Sequence, residues 1–329
     1  MLHKHLAQRL CEKGLLSQAD KNAWEEDLAK KPISVHWEFR TVLYLGVTLF
    51  STGIGFLIYE HIDTIGHSVL IGLLSLLCVA CLAYCFKKAS PFHWLETANS
   101  QAWTDYILLL GCLLLLSVEG YLQYQYQVFG ERYGLATMIP AFLFLFLAYR
   151  FDHKGVLSMA ITGLAAWLGI ATSPYQWDAI DTENLSTLYT ALALGAVLSG
   201  VAFYSLKTSR KPHFFFTYLN FGVHIFFIAC LSASLMTSWY PVYALLAAAA
   251  SIGLLLYARK EHQHYFFLIA MVYGYIALSI LFFRLIIAMD PSGDIIFWIS
   301  FLYFFATCGA IIYFILQYKS LLKSDEKNS

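Results

Sequence analysis

Charge is what this sequence has least of. Only 13% of its 329 residues are Asp, Glu, Lys or Arg, where soluble domains carry about a quarter. Hydrophobic residues make up 59% of the chain, and its mean hydropathy is +0.63. A water-soluble globule is thereby excluded. Net charge is zero, so no overall field draws the chain to nucleic acid or acidic partners.

Other absences narrow the field further. The first residues, MLHKHLAQRLCEKGLL, are amphipathic and lack the apolar core of a cleavable signal peptide. Insertion is therefore expected to rely on the first spanning helix. No HExxH and no phosphate-binding Gly loop occurs. Cys11 is N-terminal, and the other six cysteines lie in apolar runs, none in an outward loop, which excludes a disulfide framework. Of seven prolines, only Pro140 falls inside an apolar run, where a kink is expected. The paired Gly/Pro-interrupted helices that mark many inverted-repeat transporters are missing.

What is present is length and apolarity. A spanning helix needs roughly 20 apolar residues. Ten runs approach that: 41–59, 67–86, 104–124, 133–149, 156–173, 185–206, 214–237, 242–257, 265–289 and 295–318. They are apolar all round, unlike barrel strands, which alternate over about 10 residues. The expected fold class is all-α, a polytopic transmembrane helical bundle of about ten spans. Residues 41–318 would form the bundle, 1–40 a cytoplasmic hairpin and juxtamembrane segment, and 319–329 a cytoplasmic tail.

Lys and Arg orient this bundle. With the N-terminus inside, 19 of the 21 Lys and Arg residues fall on the inner side, leaving Arg132 outside and Arg284 within the ninth helix. That is the positive-inside bias. It predicts a multi-pass cell-membrane protein, the inner membrane in a bacterium, with both termini cytoplasmic. Trp and Tyr gather near the predicted interfaces, where amphipathic rings anchor helices.

The segment 1–35 is the sizeable soluble piece. Leu2, Leu6 and Leu10 share one helical face. Gly14 can end that helix, and Ser17 with Asp20 resembles a capping box for a second helix carrying Ala23, Trp24 and Leu28. A hairpin follows, able to dock a protein partner or lie on the inner membrane face.

Ionisable groups at membrane depth are costly and mark functional candidates. Glu119 in the third run and Arg284 in the ninth sit at matching depth beneath the outer boundary, with opposite charge. They are expected to neighbour one another. His224 lies near mid-membrane in the seventh run, with Asn220 one turn away on the same face. These four are the candidate buried polar or transport residues. Cys78, Cys81 and Cys85 share a helical face by their 3 and 4 spacing. They read as small packing residues. No catalytic set, cofactor or metal site is expected.

The pattern RLCEKGLLSQADKNAWEE, followed by a long polytopic region, resembles a family of bacterial predicted membrane proteins defined by a domain of unknown function. So does YRFDHKGVLSMAITGLAAWLGI at 149–170. The resemblance implies a short helical cytoplasmic start before many spans, and it carries no activity or site residues. Three functions therefore stand open. One is transport of a small polar solute of unknown identity. The second is a non-catalytic scaffold, sensor or assembly factor working through residues 1–35. The third, ranked last, is an intramembrane enzyme. Lipid is the certain neighbour, and nucleic acid is not expected to be one.

Overall fold

The computed structural model describes residues 36–95, 102–130, 132–172, 185–289 and 293–323. The N-terminal hairpin over 1–35, the acidic loop at 174–184 and residues 324–329 lie outside them.

Among the described residues, ten α-helices occupy the ten predicted runs. They are α1 (His36–Ile65), α2 (His67–Lys88), α3 (Ala102–Tyr126), α4 (Tyr133–Phe151), α5 (Lys154–Thr172) and α6 (Leu185–Thr208). After a 3-10 turn at Pro212–Phe214 come α7 (Phe215–Met236), α8 (Tyr240–Lys260), α9 (His264–Ala288) and α10 (Gly293–Lys323). There is no strand among the described residues. Among the described residues, eight helices, α2 to α9, are long and apolar enough to cross a membrane. Among the described residues, α1 holds the apolar stretch Thr41–Phe56 and α10 the stretch Ile295–Gly309. The eighth run, the shortest in the sequence, becomes a helix of 21 residues. At 1.5 Å per residue that is about 31 Å, enough for the hydrocarbon core. Its start is set by Pro241 in the first turn, where the missing N–H has no helical acceptor to satisfy.

Short connections dictate the packing order. Gly66 alone separates α1 from α2, with φ at 80°, a conformation costly for any residue with a Cβ. Sequence neighbours then pair: α2 with α3, α4 with α5, α6 with α7, α8 with α9. The hub is α7, which also touches α5, α8 and α9. It buries Leu219, Val223, Phe227, Cys230 and Ala233. Among the described residues, α10 meets α9 through Tyr303, which bonds Ser279 and lies against the rings of Phe282 and Phe283.

Water drives no helix against another inside lipid, so close backbone approach has to hold the seams. Small residues make that approach possible. A Cβ on Gly195 of α6 would lie 2.6 Å from the Phe226 nitrogen of α7. On Gly222 of α7 it would lie 2.5 Å from Ser199 Oγ and 2.7 Å from Ser199 N. In the α8–α9 seam, Gly274 faces Ser251, whose hydroxyl donates to the Ala270 carbonyl at 2.6 Å. The cysteine face of α2 packs on α3: Cys78, Cys81 and Cys85 are buried, and the Cys78 thiol donates to the Gly111 carbonyl.

Candidate functional site

Polar groups concentrate in three places. The first is a clasp at one end of the bundle, where three Lys/Arg-bearing loops meet. Asp152 ends α4 in the left-handed conformation, φ 56°, which Asp tolerates better than most side chains. Lys211 precedes the 3-10 turn, also left-handed at φ 52°. Its ammonium forms an ion pair with Asp152, the side chains being 1% and 5% exposed. The same ammonium lies 4.7 Å from the centre of the Phe92 ring. The Lys211 backbone N–H donates to the Trp94 carbonyl at 2.7 Å. His213 Nε2 stands 3.4 Å from the same Asp152 carboxylate. Arg150 donates to the Ser90 carbonyl at 2.8 Å, and Arg210 sits over the Trp94 ring. Ser205 at the end of α6 donates to the carbonyls of Arg210 and Lys211. The loops after α2, α4 and α6 therefore lie on one side of the bundle. Alternation of Lys and Arg along the sequence demands the same.

Sequence reasoning did not single out Asp152 or Lys211. The available signal was Asp152 itself, an acidic residue in a short inner connection otherwise rich in Lys and Arg. Its partner, 59 residues on, is set by tertiary structure alone.

The second place is the seam of α7 and α9. His224 and Asn220 do share a face, and two tyrosines of α9 meet it. His224 Nδ1 is 2.7 Å from the Tyr273 hydroxyl. The Tyr265 hydroxyl donates to Asn220 Oδ1 at 2.5 Å and is 3.4 Å from His224 Nε2. Tyr273 in turn stacks on Phe227, ring centres 4.6 Å apart. Tyr265 and Tyr273 are eight residues apart, hence on one helical face. That spacing was readable, but nothing in it told which helix would receive the two hydroxyls. Desolvated, the imidazole and the amide each need such partners.

Arg284 marks the third place, and here the expected pairing with Glu119 is corrected. The guanidinium donates to the Leu235 carbonyl near the end of α7 and lies 5.2 Å from the centre of the Tyr240 ring at the start of α8. No ion pair joins it to Glu119. The reason is helix placement. Matching depth requires adjacent helices before charges can meet, and α3 packs on α1, α2, α4 and α5, while α9 packs on α7 and α8. Glu119 is half-buried on α3, with no hydrogen bond to a described residue. Arg284 instead lines a cavity of about 560 Å³ between α7, α9 and α10. A second cavity, about 380 Å³, opens between α6, α7 and α8 and is apolar, with Phe203, Val223, Phe227 and Tyr257 on its wall. Neither Glu119 nor His224 lines either of these two cavities. Among the described residues no group of three His, Cys, Asp or Glu side chains is placed to hold a metal ion.

Fold and polar geometry together define an all-α polytopic membrane bundle. Residues 8–157 match the model of a family described as predicted membrane protein (DUF2157). The match covers the first of the two segments that carried the family resemblance and residues 149–157 of the second, and it ends just after the clasp residue Asp152. No curated protein and no solved structure matches the chain.

Proposed function

We propose that the protein is a non-catalytic component of the cell membrane, a scaffold, sensor or assembly factor, with both termini in the cytoplasm. One observation carries this reading: polar side chains of the apolar helices satisfy one another across helix seams. His224 with Tyr273, Tyr265 with Asn220, Tyr149 with Tyr218, Tyr243 with Tyr189 and Ser279 with Tyr303 all bond from one helix to the next. Groups used in this way join helices, at roughly 1 kcal/mol each. They are dispersed over several seams rather than lining one path. Residues 1–35 then supply the surface for a protein partner.

Transport of a small polar solute is the second reading, and Glu119 favours it. A carboxyl at membrane depth without a described partner is costly unless water or a solute answers it. Purified full-length protein in liposomes separates the two. A scaffold takes up none of a broad panel of small polar solutes, and a partner co-purifying with the full chain is lost on deleting residues 1–31 while the bundle still inserts. Uptake that falls in Glu119→Gln or His224→Ala at unchanged protein yield reverses the choice.

The orientation has its own test. Reporter fusions after Asp63, Tyr175 and Ser292 should report the outer side, and fusions after Lys88, Lys211 and Lys260 the inner side, because translocating Lys and Arg is disfavoured. A single inversion among the six refutes the topology.

A further inference from the structure

We infer that the cavity between α7, α9 and α10 is a binding site for one anionic membrane phospholipid, its phosphate on Arg284 and one acyl chain along α9. The argument begins with charge. Among the described residues, Arg284 is the one charged side chain on the wall of this cavity, and no carboxylate lines it. Among the described residues no carboxylate forms an ion pair with Arg284. One donor of the guanidinium goes to the Leu235 carbonyl. A guanidinium has five donors in a planar fork that matches a phosphate. In a low-dielectric setting an unanswered cation attracts a net-negative ligand far more strongly than a zwitterion.

The shape agrees with an amphiphile. On α9 the wall runs from Tyr275 through Ser279 and Arg284 to Ile287. Those twelve steps at 1.5 Å make a slot about 18 Å long. Its cationic end lies four residues before the end of α9 at Ala288, about 6 Å in, at the depth of a headgroup boundary. The remainder is mainly apolar. Three of its four hydroxyls are engaged, Tyr275 being the fourth: Ser279 meets Tyr303 of α10 at 2.5 Å, and Ser300 donates to the Ile296 carbonyl. A tail therefore meets mainly apolar surface and hydroxyls that are mostly satisfied. About 560 Å³ is within the range of ligand pockets. This site is independent of any partner on residues 1–35, so either idea can fail alone.

The test uses the full-length protein and native mass spectrometry, titrated with phosphatidylglycerol and with phosphatidylcholine of identical chains. The expected result is one retained phosphatidylglycerol per chain, favoured about tenfold over phosphatidylcholine, the scale of one charge-assisted bond pair. Arg284→Gln should bring the two lipids level. Ser300→Phe, which narrows the slot from α10 and leaves Arg284 in place, should abolish retention of both. Equal retention of the two lipids by the unaltered protein overturns the inference. So does a tenfold preference that survives Arg284→Gln. If Arg284→Gln does not fold, Ser300→Phe decides: lost retention supports the site, and unchanged retention refutes it.

Discussion

Asp152→Asn is expected to destabilise the bundle by roughly 3–5 kcal/mol, the cost of leaving a buried charge without its partner. Asn keeps the shape and tolerates the left-handed backbone at this position, φ 56°, so the change isolates charge. What it strands is the Lys211 ammonium, 1% exposed and facing the Phe92 ring. His213, which leans on the same carboxylate, cannot substitute as a counter-charge, since an imidazole is neutral or cationic. Lys211→Met alone should cost less than Asp152→Asn, because the carboxylate retains His213. The double variant Asp152→Asn with Lys211→Met should recover much of the loss, since an apolar pair in place of a buried ion pair is often near neutral. Thermal midpoints in detergent and monodisperse yield read this out. Losses that simply add in the double variant would mean that the two groups do not interact.

Gly195→Val should be nearly as damaging, through geometry instead of charge. Its Cβ would fall 2.6 Å from the Phe226 nitrogen and 2.8 Å from its Cα. Those are backbone atoms, so no rotamer can make room, and α6 must move off the hub helix. Overpacking of this kind costs roughly 1–3 kcal/mol or more. Gly222→Val meets the Ser199 nitrogen at 2.7 Å in the same seam, so the two variants together should cost less than their sum once the seam has opened. Gly200→Ala is the control. Nothing lies within 4 Å of its Cβ, and alanine is the better helix former by up to about 1 kcal/mol. Unfolding of Gly195→Val at the wild-type midpoint would show that the seam is softer than its contacts imply.

These two variants also mark where reading the sequence stops. Apolar length was enough to find all ten helices, because a helix in lipid must satisfy its own backbone wherever it sits. Spacing was enough for the cysteines of α2 and for Asn220 with His224, because one helical face is a property of one segment. Partners were not legible, because they belong to the order in which helices pack. Depth alone suggested Glu119 for Arg284, whereas Arg284 sits beside the end of α7 and the start of α8 and takes the Leu235 carbonyl and the Tyr240 ring. Gly195 and Gly200 look equivalent in a string of letters. Only the first has another backbone against it.

The clasp also has a bearing on time. Asp152 and Lys211 are 59 residues apart. At 5–20 residues per second, Lys211 is added about 3–12 s after Asp152. During that interval the earlier helices can insert and pair with neighbours, but their loops have nothing to tie them together. Lys211 arrives at the end of α6, just before the hub helix α7 is made. Locking the loops and supplying the hub are therefore consecutive events, and the first six helices precede both.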